Sequence, residues 1–421
     1  MPENESVKVE VIHSKGVTLE TRSLGEKTRS RSTEQQITSS ITLTSILRKS
    51  VMTFDFSFLP ADAALRDYLP GILPVEGISS TFLSHYDFLP DKSVSISNYS
   101  RHDFWDLVLR SVTMIMSLGG SKGMRIIHYV SGNKMEDLVL RTASIFVGLV
   151  PVTINWQADI KSQIDYKITS TDSKIIVFDK GTPDVPELRG KYPSIQFLDV
   201  ADIHTTAPID LRHLISYLSD ANVVRVNDTR CIIFTSGTTG NPKGVELSYS
   251  NYRVNRETFE SFLGFMDPST MFVPVAVNPM HHTNSTSITD WALRRPNTHL
   301  HLLERYSTQY WTVISAISMN LSIQETLAVT NTEQASILLD AVSPTLSSVP
   351  SSGGRKVIAP LVSRHIDFLE SLVDSNSVGI PCDVLRECLS RAVLLIGSAP
   401  VGPSTIKRLS KYANRLPTGK S

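Results

Sequence analysis

The middle of the chain alternates short apolar segments with amphipathic ones, and this order constrains the fold more than any other feature. MRIIHYV, VPVTIN and SKIIVFD are rich in the β-branched and aromatic residues of strands. NKMEDLVLRTASIFVGLV and DIKSQIDYKITST lie between them and have the apolar spacing of helices. Strands connected by helices form parallel sheets that are covered on both faces. The sequence therefore predicts an α/β fold with parallel β-sheets sandwiched by helices.

The same pattern extends in both directions from this region. SRHDFWDLVLRSVTMIMSLGG is predicted to be a helix, in which Ser100 and Asp103 approximate a capping box and Gly119 ends the helical segment. Downstream, CIIF is predicted to be a strand and SYSNYRVNRETFESFLGF a helix. RKVIAPL, SRHIDFLESLV and RAVLLIG continue the alternation towards the end of the sequence.

Composition excludes several classes of function. The 421 residues contain 41 Lys and Arg against 41 Asp and Glu, so no net charge attracts nucleic acid or an anionic membrane surface. No apolar run approaches the ~20 residues of a membrane span, and the first residues do not resemble a signal peptide. The three cysteines are too few and too far apart for a disulfide scaffold. We expect a soluble, cytoplasmic protein without a transmembrane segment.

The segment CIIFTSGTTGNPKGVELS differs from the rest of the chain because an apolar strand runs directly into hydroxyl and glycine residues. In parallel sheets, ligands bind beyond the carboxyl ends of strands. Glycines let backbone N–H groups approach an anion, and a lysine adds a movable positive charge. The segment is not a Walker A loop, and we expect it to lead into the following helix. Its predicted phosphate-binding residues are Thr235, Ser236, Gly237, Thr238, Thr239, Gly240 and Lys243.

FTSGTTGNPKGV resembles the signature phosphate-binding loop of the adenylate-forming superfamily, which includes the acyl-CoA synthetases. Members of this superfamily join a carboxylic acid to ATP, release pyrophosphate and pass the acyl group to a thiol. The resemblance implies ATP and Mg²⁺ as cofactors and a small-molecule carboxylic acid as substrate. CoA is the implied acyl acceptor, although a carrier-protein thiol remains an alternative.

Weaker matches surround the loop in the family's order. Upstream, Gly148, Pro151 and Asn155 match recurrent positions of a helix–glycine–strand step. Downstream, NPMHHTNS resembles the Pro-x-x-His element of the acyl pocket, which implies that Pro279 and His282 lie beside the acyl group and that His282 has a catalytic role. LLIGSAPVGPSTIKRL resembles the turn beside the adenine, and its counterparts here are Gly397, Ser398, Ala399 and Pro400.

The likeness covers about residues 100–415 and also shows departures. It implies an AMP-binding large domain over residues 51–421, incomplete at its C-terminus and without the small lid domain, preceded by a partly mobile extension over residues 1–50. The family's Gly-x-Thr-Glu element, ribose-binding aspartate and lid lysine would follow Ser421, and Lys420 in LPTGKS is not the lid lysine. We therefore expect impaired turnover and an apolar sheet edge that a protein partner would cover.

The leading hypothesis is ATP-dependent activation of a carboxylic acid to an acyl-adenylate, followed by thioester formation. The alternative is a non-catalytic nucleotide-binding protein or an incomplete gene product. A neighbourhood rich in histidine lacks a carboxylate or cysteine at a recognised zinc spacing, so no metal ligand is predicted. Its members are His281, His282, His299 and His301.

Overall fold

The alternating segments assemble into two six-stranded sheets flanked by helices, which confirms the predicted fold class. The computed structural model describes residues 57–74, 81–91, 93–218, 221–235, 241–307, 309–320, 355–374, 385, 389–397 and 403–409. All of these residues belong to one compact unit, Thr53–Asn414. The predicted extension over residues 1–50 lies outside the described part, so its boundary and mobility stay predictions.

Twelve strands are present in the described residues. They are β1 (Thr81–Phe88), β2 (Val94–Ser100), β3 (Arg125–Tyr129), β4 (Val150–Thr153), β5 (Ile175–Phe178), β6 (Gln196–Asp199), β7 (Thr229–Thr235), β8 (Lys243–Ser248), β9 (Met271–Ala276), β10 (Leu300–Leu303), β11 (Arg355–Val362) and β12 (Ala392–Gly397).

The α-helices of the same regions connect these strands, and none of them is long and apolar enough to cross a membrane. They are α1 (Leu65–Ile72), α2 (Arg101–Ser117), α3 (Met135–Val147), α4 (Lys161–Ser170), α5 (Val185–Lys191), α6 (Leu211–Tyr217), α7 (Tyr249–Phe262), α8 (Thr283–Arg294), α9 (Tyr310–Met319), α10 (Ser363–Asp374) and α11 (Pro403–Leu409).

The two sheets have the same plan. The first sheet has the order β6-β5-β3-β4-β7-β8, and the second has the order β12-β11-β9-β10-β1-β2. Within each sheet five strands are parallel, and the strand at one edge, β8 or β2, is antiparallel to its neighbour. The helical connections between successive strands produce the parallel pairing, because a parallel crossover needs a dozen or more residues.

Successive residues of the central strands contact different cores. In β3, Ile126 packs in the large core that also holds α2, α3 and α8, whereas Ile127 packs on the opposite face with Ile164 and Ile168 of α4. In β9, Phe272 joins the large core and Val273 joins a third core, which includes α9. Because strand side chains alternate in direction, each sheet is buried on both faces.

Two helix ends follow from local sequence. Ser100 and Asp103 form the predicted capping box, in which Asp103 N–H donates to Ser100 Oγ and Ser100 N–H donates to Asp103 Oδ2. Helix α3 ends at Gly148, whose φ of +82° places it in the left-handed region. Its N–H donates to the carbonyl oxygen of Ser144 at 2.8 Å, which satisfies a terminal acceptor of the helix.

Replacing Gly148 with alanine should lower the free energy of unfolding by about 1–2 kcal/mol, because a left-handed conformation costs an L-residue that amount. The added Cβ would also lie 3.0 Å from Lys122 Cα. Gly190 is a matched control, because it lies in α5 with nothing within 4 Å of an added Cβ. Gly190→Ala should raise stability by up to about 1 kcal/mol. Urea unfolding of both variants measures the two effects, and a shift of the same sign in both would contradict this account.

Several elements were not predicted from the sequence. Helix α1 contains Pro70, which is unfavourable within a helix. Strand β1 is buried at nearly every position and therefore lacks the alternation of a half-exposed strand. Strand β2 does alternate Val94 and Ile96 with polar residues, so its signal was present. Together β1 and β2 complete one edge of the second sheet.

Candidate active site

The segment rich in hydroxyls and glycines is flanked by the antiparallel strands β7 and β8, which form a hairpin, so the expectation that the segment leads directly into a helix is wrong. Strand β7 ends at Thr235, β8 begins at Lys243, and these two residues form the last antiparallel pair before the turn. Helix α7 begins only after β8. Pairing with β7 satisfies the backbone groups of β8 that face it, whereas the others face away because β8 is the edge strand of the sheet. The predicted site residues of this segment that lie outside the described part of the chain are Ser236, Gly237, Thr238, Thr239 and Gly240.

Thr235 and Lys243 form the described base of this hairpin. Both residues are exposed, and the Thr235 hydroxyl donates to the carbonyl oxygen of Lys243 at 3.4 Å. Lys243 makes no ion pair with an acidic residue in the described regions. An exposed ammonium group beside a hydroxyl fits a phosphate group, which accepts hydrogen bonds from both and neutralises the positive charge.

Gly244 contributes to packing in this hairpin. It pairs with Phe234 in β7, and a Cβ at this position would lie 3.1 Å from Ile232 Cγ2 and 3.3 Å from the Phe234 ring. The sequence suggested that this glycine lets backbone amides approach a ligand. In the structure, its missing side chain makes room for two apolar side chains of β7 instead.

A buried ion pair packs against strand β7 of the hairpin. The Lys167 ammonium group lies 4.9 Å from the centre of the Phe234 ring and forms a salt bridge with Asp159. Asp159 also accepts a hydrogen bond from the backbone N–H of Asn155 at 2.7 Å. Burial lowers the pKa of Lys167, and its partner Asp159 opposes this change. Lys167 therefore connects β7 with the loop after β4 and is buried. Lys243, by contrast, is a lysine of the hairpin that is exposed.

The segment before α8 is fixed by the side chain of Asn133, a residue whose role was not predicted. Its amide donates to the carbonyl oxygen of Asn278 at 3.0 Å and accepts from the N–H of Met280 at 2.9 Å. His282 follows as the N-cap residue of α8, and its N–H donates to the carbonyl oxygen of Pro279 at 2.9 Å. A buried asparagine that hydrogen-bonds the backbone of another segment fixes the position of that segment. The periodicity of the sequence does not reveal such a contact.

The two adjacent histidines differ in environment. The His281 side chain is buried, and burial together with the neighbouring His282, Lys167 and Arg141 lowers its pKa to about 3. His282 is exposed, and its ring centre lies 4.4 Å from that of His281. His281 is therefore neutral at physiological pH. The predicted acyl-pocket residue, His282, is the one that solvent and a ligand can reach.

A cavity of about 420 Å³ lies next to these elements, between α7, α8 and the strands β11 and β12. The apolar residues among those that line it, called the apolar wall below, are Phe259, Ile288, Trp291, Pro360, Leu395 and Ile396. The other described lining residues are polar but uncharged: Asn255, Thr283, Asn284 and Ser287. This volume falls in the ~300–1,000 Å³ range of small-molecule sites.

A family model described as "AMP-binding enzyme" matches residues 89–418, which is most of the chain. The chain belongs to the AMP-binding enzyme family. This assignment agrees with the resemblance of the hydroxyl- and glycine-rich segment to the phosphate-binding loop of adenylate-forming enzymes.

Curated relatives of this AMP-binding chain are acyl-CoA ligases. A 2-succinylbenzoate–CoA ligase from Bacillus licheniformis is 24% identical over 155 residues, which cover 37% of this chain and 30% of the relative. A medium-chain-fatty-acid–CoA ligase from Ectopseudomonas oleovorans is 29% identical over 167 residues, with the same two coverages. The matched region thus spans less than a third of each relative's length.

Solved structures of AMP-binding enzymes share the fold. ATP-bound MatB from Rhodopseudomonas palustris has a TM-score of 0.56 at 17% identity, covering 84% of this chain and 58% of MatB. O-succinylbenzoate coenzyme A synthetase (MenE) from Bacillus subtilis, in complex with AMP, has a TM-score of 0.52 at 14% identity. The alignment covers 83% of this chain and 56% of MenE. At these identities the likeness concerns the fold alone.

Several predicted site residues of the AMP-binding chain are close in sequence to residues or elements that line the cavity. His282 directly precedes Thr283, and Gly397 at the end of β12 directly follows Ile396. Lys243 begins the strand that leads into α7, which supplies Phe259 to the apolar wall. The remaining predicted residues of the adenine turn, Ser398, Ala399 and Pro400, lie outside the described part of the chain.

The other two histidines of the predicted neighbourhood bond hydroxyl groups. Nε2 of His299 lies 2.8 Å from Ser84 Oγ, and Nδ1 of His301 lies 2.6 Å from Tyr86 Oη. Their ring centres are 4.1 Å apart, so both side chains lie on the same side of the chain. In the described regions, no group of three histidine, cysteine, aspartate or glutamate residues could hold a metal ion.

Proposed function

We propose that this chain takes part in the ATP-dependent activation of a carboxylic acid, followed by transfer of the acyl group to CoA. In the first step a carboxylate oxygen bonds to the α-phosphorus of ATP, and the bond from that phosphorus to the β-phosphate breaks, releasing pyrophosphate. The main observation in favour is the cavity. Two of its lining residues, Thr283 and Ile396, are direct neighbours in sequence of His282 and Gly397, which are predicted to contact the acyl group and the adenine.

The described hairpin base has the groups that this reaction needs for phosphate. Lys243 would neutralise charge on the β- and γ-phosphates, and Thr235 would donate a hydroxyl hydrogen bond. The remaining residues of the loop, 236–240, are proposed from their resemblance to the family's loop. Mg²⁺ would supply further charge neutralisation when bound. Most of the rate enhancement would come from positioning the reactants and stabilising charge.

The acyl group would occupy the cavity, with its carboxyl end near His282 at the N-terminus of α8. No acidic residue lies in the first turn of α8, and no side chain caps it. A helix N-terminus without such partners favours a negative charge because its first N–H groups are unsatisfied. In this proposal, His282 is a polar residue that would contact the substrate carboxylate.

Acid-dependent exchange of pyrophosphate into ATP tests the proposal directly, with residues 1–421 and a panel of fatty, aromatic and short-chain acids. Ser287→Trp would fill the cavity from α8 and should reduce the acid-dependent exchange at least tenfold, since each buried methylene contributes ~0.8 kcal/mol of binding. ATP binding should persist. Thr258→Trp is the control, because Thr258 is exposed on α7 and does not line the cavity.

Each outcome of this experiment has a distinct meaning. Equal exchange in Ser287→Trp and the unmodified chain would show that the acyl group binds elsewhere. ATP binding without exchange for any acid would favour the alternative, a non-catalytic nucleotide-binding protein. Formation of a thioester after addition of CoA would identify the acyl acceptor.

A further inference from the structure

The residues of α8 that line the cavity change from exposed to buried along the helix. Thr283, at the first position of α8, is exposed, and Ser287, about one turn later, is half-buried. Ile288 and Trp291, which lie further along the helix, are both buried. All four residues line the cavity. The end of the cavity that solvent reaches is therefore beside His282, and the buried end is beside Trp291.

Trp291 separates the buried end of the cavity from the large core. It is the last residue of α8 among the described residues that line the cavity. Its ring centre lies 4.3 Å from that of Phe272 and 5.8 Å from that of Phe265. Both phenylalanines are fully buried, and neither is among the described lining residues. The indole thus has the cavity on one side and packed aromatic rings on another.

Hydrogen bonds fix the indole in this position. Trp291 Nε1 donates to Glu260 Oε1 at 2.8 Å, and Arg295 Nη1 donates to the same oxygen at 2.9 Å. All three residues are buried. If the indole rotated away from the cavity, its N–H group would lose this acceptor inside the protein, which is energetically unfavourable. The buried end of the cavity is therefore rigid, and a longer ligand cannot easily displace it.

The geometry of α8 limits the length of an acyl chain between the two ends of the cavity. Thr283 and Trp291 are eight residues apart, which is about 12 Å along the helix axis. A helical side chain leans towards the N-terminus, so the indole covers roughly the last turn, ~5 Å, of this distance. An extended hydrocarbon chain advances about 1.3 Å per carbon, so about five to nine carbons beyond the carboxyl group fill the space.

We propose that the substrate is an acid with an apolar chain of about six to ten carbons in total, and that Trp291 sets the upper limit of its length. This inference rests on the proposed function. Ile288 would contact the chain along its length, and the Trp291 indole would contact its end. Each methylene that enters the cavity adds to binding, whereas a chain that is too long forces a fixed side chain out of place.

Three linear acids test the inference: hexanoate, octanoate and dodecanoate. Their dissociation constants are measured by titration calorimetry on residues 1–421 with a non-hydrolysable ATP analogue present. We expect octanoate to bind about tenfold more tightly than hexanoate, because each buried methylene contributes about fourfold in affinity. Dodecanoate should bind about tenfold more weakly than octanoate, because its last carbons overpack against the indole. In Trp291→Ala, dodecanoate should bind more tightly than octanoate.

Two further variants distinguish chain-length selection from a loss of packing. Trp291→Phe keeps an aromatic ring and serves if Trp291→Ala does not fold. It should lower the preference for octanoate over dodecanoate by about fourfold or more, since the smaller ring makes room for at least one methylene. Trp311→Phe is the matched control. Trp311 is also buried, and its Nε1 donates to Tyr306 Oη at 3.0 Å, but it lies in α9 and is not among the described lining residues. Its preference should equal that of the unmodified chain within about twofold.

Other results would overturn the inference. Binding of dodecanoate to the unmodified chain as tightly as octanoate, an unchanged preference in the Trp291 variants, or an equal shift in Trp311→Phe would each exclude Trp291 as the limit of chain length. If acids support exchange without any dependence on chain length, the proposed function stands and only this inference fails. If ATP binds and no acid binds or supports exchange, both fail.

Discussion

Replacing Asp290 with alanine should lower the free energy of unfolding by about 3–5 kcal/mol, the cost of removing one partner from a buried ion pair. Asp290 lies in α8 with a relative exposure of 4%. Its carboxylate accepts from Tyr68 Oη at 2.6 Å and Arg294 Nε at 2.7 Å, and Arg230 Nε lies at 3.3 Å. Burial alone would lower the pKa of Arg294, and the nearby Asp290 carboxylate raises it. Without Asp290, the buried guanidinium groups of Arg230 and Arg294 lose a negative charge that offsets the cost of their burial.

The chain contains a matched control for this prediction. Asp106 and Arg110 form the same i, i+4 pair in α2, at 2.5 Å, but their side chains are partly exposed. Asp106→Ala should therefore cost less than about 1 kcal/mol. Urea unfolding monitored by tryptophan fluorescence compares the two variants, and Asp290→Asn serves if Asp290→Ala does not fold. Equal effects of the Asp106 and Asp290 substitutions would mean that the buried network contributes little to stability.

Replacing Lys243 with alanine should weaken ATP binding by about tenfold or more. A hydrogen bond to a charged group contributes ~1.5–3 kcal/mol, and 1.4 kcal/mol corresponds to a factor of ten in affinity. Lys243 is exposed at the first position of β8 and has no acidic partner in the described regions, so its charge is available to phosphate. Stability should change little, because the side chain has no described ion pair to lose.

Titration calorimetry with ATP measures this effect directly. Lys174→Ala is the control, because Lys174 is also an exposed lysine but pairs with Asp172 next to β5. We expect its ATP affinity to equal that of the unmodified chain within about twofold. If Lys243→Ala and Lys174→Ala bind ATP equally well, Lys243 does not contact the nucleotide phosphates.

Local sequence was enough to predict the elements that depend on residues close together in the chain. The capping box of Ser100 and Asp103 occurs where the sequence predicts it, and Gly148 lies between a helix and a strand, as its resemblance to the family's helix–glycine–strand step implies. The strands around Ile126 and Ile176 were predicted from composition because both faces of their sheet are buried. Their parallel pairing followed from the helices between them.

The hairpin of β7 and β8 could not be predicted in this way. Most residues of β8 are exposed, and its two alternating apolar residues, Val245 (43% exposed) and Leu247, form too short a pattern beside the loop to identify a strand. Its structure depends on backbone pairing with β7, a long-range property that side-chain periodicity does not encode. The loop chemistry could be identified from its residue types, but the strand that follows the loop could not.

The sequence by itself determined the fold class, the alternation of the central strands and helices, and the family's phosphate-binding motif, because these depend on local patterns and on residue identity. Only the tertiary structure decided which residues meet. It brought Phe259 and Trp291 together with Leu395, across more than a hundred residues of chain, to form the apolar wall of the cavity. It also buried the side-chain oxygen of Asn284 without a hydrogen-bond partner among the described residues. Side-chain environments of this kind arise from packing between distant segments, which no local pattern specifies.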